Sequence, residues 1–181
     1  GATIPSLANV KAADVVGASS IDFASLAAQY KCALMDDILP FWEQHSPDKE
    51  HGGYFSTIGR YGVVKDVDGP KYMWQVSRQA WMFSKLYNQF GQPPSRPDHA
   101  PLGQKFLLGH GRSADGKWRF AVSRTGEPTD EPHEIFADCF AAMALSQYAL
   151  ATQDQEAHDV ALQTFGHIMD EMPVPAKRRS E

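Results

Sequence analysis

Two stretches of this chain repeat one another at a fixed distance, and that repeat restricts the fold more than any other feature. Gly52-Gly-Tyr54-Phe-Ser-Thr-Ile58-Gly-Arg60-Tyr-Gly62 aligns with Gly116-Lys-Trp118-Arg-Phe-Ala-Val122-Ser-Arg124-Thr-Gly126, 64 residues further on. Glycine, an aromatic residue, a β-branched residue, arginine and glycine recur in the same order. His45 and His110 precede the two runs at nearly the same distance. Each run reads as a hairpin, the first with Tyr54–Ile58 and Val63–Lys65 around Gly59–Gly62, the second with Trp118–Ser123 and a turn at Arg124–Gly126.

Helical segments flank both hairpins. Phe23, Leu26, Ala27, Tyr30, Ala33, Leu34, Ile38 and Phe41 describe a one-sided amphipathic helix with Ser20 or Asp22 as its cap. The segment from Trp74 to about Asn88 carries apolar residues on two faces. A short helix is expected over Leu102–Leu108, after a loop over residues 91–101. Glu134–Ala151 is apolar nearly all round, which predicts a buried helix. Gln155 to about Met169 is one-sided again, with Ala157, Val160, Ala161, Phe165 and Ile168 together, and Pro173 and Pro175 end it. Outer and inner helices in alternation are what an α/α solenoid or toroid requires. A closed ring of six such pairs would need roughly 384 residues, so an inner wall and one edge are expected to be open. The expected class is all-α with small β-hairpins: residues 1–20 a leader or arm, 21–172 a partial α/α toroid, 173–181 a disordered tail.

Composition excludes several classes of function. The net charge is −5 and the one concentrated basic run, Lys177-Arg178-Arg179, is at the C-terminus, so no nucleic-acid partner is expected. No run has the length of a membrane span, so no membrane partner is expected either. Cys32 and Cys139 lie in apolar helical patterns, predicting buried thiols and a cytoplasmic location. No His/Cys spacing suggests a metal, and no glycine loop suggests a phosphate site.

The most chemically pointed segment is Trp74-Gln-Val-Ser-Arg78-Gln-Ala-Trp81. Trp74, Arg78 and Trp81 share one helical face, opposite Val76, Ala80, Phe83 and Tyr87. Buried between two faces, Arg78 would need a carboxylate or an oxygen-rich ligand, because it cannot shed its charge. Aromatic rings beside a planar fork of donors suit a sugar, although a structural arginine stacked on tryptophan satisfies the same pattern. Asp138, a carboxylate in an apolar helix, needs Arg78, another donor or a ligand hydroxyl; an Arg78–Asp138 pair at the base of a shared cavity is one reading, and a structural ion pair or a cap near the helix start is the other. Tyr54, Trp74 and Trp81 are the candidate ring surfaces. The histidines fall in loops, at helix ends or on the last helix, where a solvated role is the simpler one.

Phe41-Trp-Glu-Gln-His-Ser-Pro-Asp-Lys-Glu-His-Gly-Gly-Tyr-Phe55, Trp74-Gln-Val-Ser-Arg-Gln-Ala-Trp-Met-Phe-Ser84, Phe106-Leu-Leu-Gly-His-Gly-Arg112 and Phe136-Ala-Asp-Cys-Phe-Ala-Ala-Met-Ala144 together resemble the N-acylglucosamine 2-epimerase family. The resemblance runs from about Tyr30 to about Ile168 and implies an (α/α)6 toroid that interconverts N-acetylglucosamine and N-acetylmannosamine. It places Arg78 in the sugar pocket and implies ATP as a possible effector, no cofactor for the chemistry, and a homodimer or a complementing C-terminal half as partner. The family's two acid/base histidines belong to a second half that this chain does not include, so the chain alone is expected to be inactive. Epimerising C2 means removing the proton α to the aldehyde and returning it on the other face. That needs a base, an acid and a cation at the developing enolate oxygen; Arg78 suits the last role. Alternatives are a cellobiose or mannose 2-epimerase or aldose–ketose isomerase relative, and a non-catalytic sugar-binding or protein-interaction fragment.

Overall fold

The computed structural model describes residues 22–91, 99–129 and 135–172. The expected leader, the C-terminal tail, His133 and Glu134 lie outside them. The chain divides into two compact units, Gly1–Pro40 and Phe41–Glu181.

In the first unit, α1 (Phe23–Cys32) is capped by Asp22, whose carboxylate accepts from the N–H groups of Ala24 and Ser25. Ser20 is therefore not needed as a cap. A π-helical turn, Ala33–Ile38, carries the chain on towards α2 (Leu39–His45). The expected one-sided burial is not seen here: no residue of α1 is buried, and Phe23, Leu26 and Tyr30 are exposed. Cys32 is exposed as well, where the apolar pattern predicted a buried thiol.

The second unit is built on the repeat. Its elements are β1 (Lys71–Tyr72), α3 (Met73–Phe90), α4 (His99–His110), β2 (Ala121–Val122), α5 (Ile135–Thr152) and α6 (Gln155–Glu171). The two hairpins form the same hydrogen bonds at matching positions. Phe55 N–H donates to Ser46 O at 2.8 Å, and Arg119 N–H to Gly111 O at 2.8 Å. Gly59 N–H donates to Val63 O at 2.7 Å, and Ser123 N–H to Glu127 O at 2.8 Å. The isolated bridges correspond too, Pro47 to Tyr54 with Arg112 to Trp118, and Ile58 to Val64 with Val122 to Pro128. The first copy has one residue more, in the turn between Asp48 and Gly53. Both hairpins are shorter than expected, because pairing stops at bridges. Among the described residues a two-stranded sheet joins the two copies of the repeat instead, with β1 antiparallel to β2.

The terminal glycine of each hairpin is required by close packing. Gly62 and Gly126 have φ of 83° and 96°, and a Cβ on either would run into the ring of His45 or His110. The repeated histidines are thus packing partners of the repeated glycines.

α3 and α5 lie side by side. Trp74 and Arg78 meet Phe140 near their N-terminal ends, and the Asn88 amide donates to Gln147 O at 3.0 Å further on, so the two helices run in the same direction. α3 buries Met73, Val76, Ser77, Ala80, Phe83 and Ser84; α5 buries Ala137, Asp138, Ala141, Ala144, Leu145, Tyr148 and Ala149. With 18 residues and mean hydropathy 1.3, α5 would pass by length and composition for a membrane span. Its apolarity is explained by packing against α3 and α6. It is not buried all round, however: Phe136 and Leu150 are more than 60% exposed, at 63% and 61%. α6, capped by Asp154, buries Ala157, Ala161, Thr164 and Ile168 but leaves Phe165 exposed, although the sequence groups it with them on one side of the helix.

Candidate functional site

α3 sets the site. Its first backbone donor, Met73 N–H, is taken by Phe120 O of the second hairpin at 2.9 Å, which anchors the helix start. Gly91, with φ of 76°, ends the helix. The buried stripe fixes the rotation of the helix and leaves Trp74, Arg78 and Trp81 on its other side. Trp74 and Trp81 are half-buried and Arg78 is exposed.

The Arg78 guanidinium carbon lies 5.8 Å from the Trp74 ring centroid and 5.5 Å from that of Phe140. These are cation–π distances, and the two rings come from different helices. Phe140 lies in the Phe136–Ala144 block but is not among the candidate site residues; its approach to Arg78 depends on how α5 lies along α3. Among the described residues no carboxylate forms an ion pair with Arg78. A planar cation steadied by rings, with donors facing solvent, can bind an oxygen-rich ligand or a developing oxyanion.

Asp138 does not join it. The carboxyl is buried at the start of α5, beside the Trp118 backbone, with the side chains of His167 and Glu171 of α6 nearby. Burial pushes its pKa up, and the Trp118 backbone hydrogen bond only partly opposes this. The Arg78–Asp138 pair is therefore not formed, because the first turn of α5 turns that residue towards α6.

Tyr54 is likewise removed from the candidate ring surfaces. It is 1% exposed, and its hydroxyl donates to His99 O at 2.5 Å. Its ring packs against Phe83 and has no face left for a ligand. The other copy of the repeat shows why. Trp118 is 0% exposed and donates from Nε1 to Thr164 Oγ1 at 3.0 Å. In each hairpin the aromatic residue ties the loop to the following outer helix.

A charged cluster not anticipated from the sequence locks the loops together. Lys71 Nζ donates to Asp48 Oδ2 at 2.8 Å, Gly52 O at 2.6 Å and Arg124 O at 2.9 Å. All three ammonium donors are used, so Lys71 is a strut, not a proton carrier. Arg124 meets Asp48 Oδ2 at 2.9 Å and Glu50 at 2.8 Å. Burial disfavours the Asp48 carboxylate, but hydrogen bonds from Arg124 and Lys71 outweigh it and hold its pKa well below the usual range. Burial also lowers the pKa of Lys71, against the pull of Asp48. One signal in the sequence was available: Arg124 is the arginine of the second repeat. Arg60, its counterpart, is found over the Tyr61 ring instead.

Residues 29–177 match the N-acylglucosamine 2-epimerase (GlcNAc 2-epimerase) family. The chain belongs to this family. It is 35% identical over 139 residues to N-acylglucosamine 2-epimerase from Homo sapiens, covering 75% of this chain and 32% of that protein. It is 34% identical over 135 residues to cellobiose 2-epimerase from Dictyoglomus turgidum, covering 73% and 33%. Among solved structures it superposes on cellobiose 2-epimerase from Bacillus thermoamylovorans with TM-score 0.72 and 28% identity, covering 79% of this chain and 36% of that one. The enzyme from Spirochaeta thermophila gives 0.73 and 27%, covering 81% and 36%. The family's fold is an α/α toroid, and this chain spans about a third of the length of these relatives.

Proposed function

We propose that this chain supplies the arginine-bearing part of a sugar 2-epimerase pocket, with an N-acylated amino sugar as ligand. The observation that carries the reading is Arg78, held against the rings of Trp74 and Phe140 with its guanidinium exposed. A cation so placed binds O1 or a neighbouring hydroxyl of the open-chain sugar and stabilises charge on that oxygen when the C2 proton leaves. Such a donor is typically worth ~3–4 kcal/mol at the transition state.

The rings beside Arg78, Trp74 and Phe140, have no group that gains or loses a proton near neutral pH. His45 and His110 are packed against Gly62 and Gly126. On the family resemblance, the base and acid of the reaction are assigned to the part of the family's architecture outside this chain, and the chain alone binds without turnover. A cellobiose-type 2-epimerase is the second reading, favoured by the nearly equal identities to the human and Dictyoglomus relatives.

The test is titration of the purified chain with N-acetylmannosamine, N-acetylglucosamine and cellobiose, followed by tryptophan fluorescence. Saturable quenching by the amino sugars, lost in Arg78→Ala, is expected. Quenching by cellobiose alone selects the second reading. Identical titrations of wild type and Arg78→Ala overturn both. Epimerisation by the chain alone overturns the assignment of the proton carriers.

A further inference from the structure

Gln75 and Gln79 lie one turn apart on α3, on either side of Arg78 in the sequence. Each carries a buried amide oxygen that no hydrogen-bond donor reaches among the described residues. A buried acceptor left unpaired costs stability, so native structures keep few of them. Two on consecutive turns of one helix, beside the cation of the candidate site, call for a donor. Ser77 Oγ is unpaired as well, but it belongs to the buried stripe, and a serine hydroxyl can turn to the carbonyl one turn back.

Helix geometry sets the three side chains in order. At 3.6 residues per turn, the sequence around α3 is Trp74, Arg78, Gln75, Gln79, in steps of about 40°, 60° and 40°. Trp74, with Phe140 from α5, therefore stands on one side of the guanidinium and the two glutamines on the other. Residues three and four apart on a helix are surface neighbours, which puts Gln75 beside both Arg78 and Gln79.

The chemistry is complementary. Arginine offers donors only, and the rings offer faces. An acylamido N–H only donates, and a sugar hydroxyl donates as well as accepts, so a pocket of arginine and rings leaves those protons unanswered. A carbonyl oxygen answers them. The terminal torsion of a glutamine is soft, and turning either amide towards a ligand breaks no bond to its oxygen.

We propose that Gln75 and Gln79 are specificity-determining residues of the sugar site. With O1 on Arg78, the Gln75 oxygen accepts from the N–H or O–H on C2, and the Gln79 oxygen accepts from the hydroxyl on C3. The inference rests on the sugar reading of Arg78 and deepens it. The two unpaired oxygens are a stability cost that the helix carries for recognition.

Isothermal titration of the full chain with N-acetylmannosamine, 2-deoxyglucose and 3-deoxyglucose tests the assignment in wild type, Gln75→Met and Gln79→Met. Methionine keeps the length of the side chain and removes the acceptor. Gln75→Met should weaken N-acetylmannosamine and 3-deoxyglucose about tenfold and leave 2-deoxyglucose, which has no donor on C2, unchanged. Gln79→Met should weaken N-acetylmannosamine and 2-deoxyglucose about tenfold and leave 3-deoxyglucose unchanged. Each variant discards an unpaired buried oxygen, so its thermal midpoint should equal or exceed that of wild type. Equal losses for all three sugars with a lowered midpoint would make the glutamines structural and overturn the inference. Variants that bind all three sugars like wild type overturn it too, and the sugar reading then stands if Arg78→Ala still abolishes binding. A wild-type chain that binds none of the sugars overturns both.

Discussion

The guanidinium of Arg78 on α3 and the ring of Phe140 on α5 are 5.5 Å apart, so an arginine of one inner helix is steadied by the next. Phe140→Leu keeps the apolar volume but removes the ring. It should weaken amino-sugar binding about two- to fivefold, corresponding to ~0.5–1 kcal/mol of lost cation–π attraction, with the thermal midpoint little changed. Isothermal titration of the variant beside Arg78→Lys, which keeps the charge but loses the planar fork, separates steadying from charge.

Removing the Asp48 charge should unlock the loops. Asp48→Asn leaves Lys71 and part of Arg124 buried without a counter-ion, at a cost of about 3–5 kcal/mol by urea denaturation at pH 7. The pKa of Asp48 is lower in the folded state than in the unfolded one. Its stabilisation is thus complete above the unfolded value of about 3.9 and is lost as pH falls below it. The gap between wild type and variant should shrink steadily from about pH 4 downwards; a gap that does not change with pH contradicts this account.

Asp138 has the opposite sign. Its folded pKa is raised, so the unfolded state gives up the proton first and stability falls as pH rises from about 4 through the folded value. Asp138→Asn keeps an oxygen for the Trp118 backbone and removes the buried charge. The variant should be as stable as wild type at pH 7 or more so, lack that fall, and bind sugar unchanged. A loss of sugar affinity would return Asp138 to the site.

Gly126→Ala and Gly62→Ala each force a side chain into positive φ and against a histidine ring. Each should cost more than about 1 kcal/mol. A second substitution, His110→Ala beside Gly126→Ala, should recover part of the loss if the clash contributes, and double-mutant denaturation curves measure it.

Tyr54→Phe removes the hydroxyl that reaches His99 O. Stability should drop by about 1 kcal/mol through the lost hydrogen bond, while amino-sugar titrations remain as in wild type.

The sequence determined what depends on local spacing. The 3.6-residue periodicity placed α3, α5 and α6 within two residues of their ends, because an apolar stripe must face a neighbour whatever that neighbour is. The repeated glycine–aromatic–arginine–glycine pattern fixed the two hairpins, since backbone turns and their glycines are specified within a few residues. The four blocks fixed the family. The tertiary structure alone decided which partner each polar side chain took. Arg78 met Phe140 instead of Asp138, Lys71 met Asp48 and Arg124, and Tyr54 turned inward to α4, because those partners arrive from segments tens of residues away. It also decided which apolar residues stay bare: Phe136, Leu150 and Phe165 carry core chemistry, yet whether a core forms over them depends on helices that lie outside their own stretch of chain.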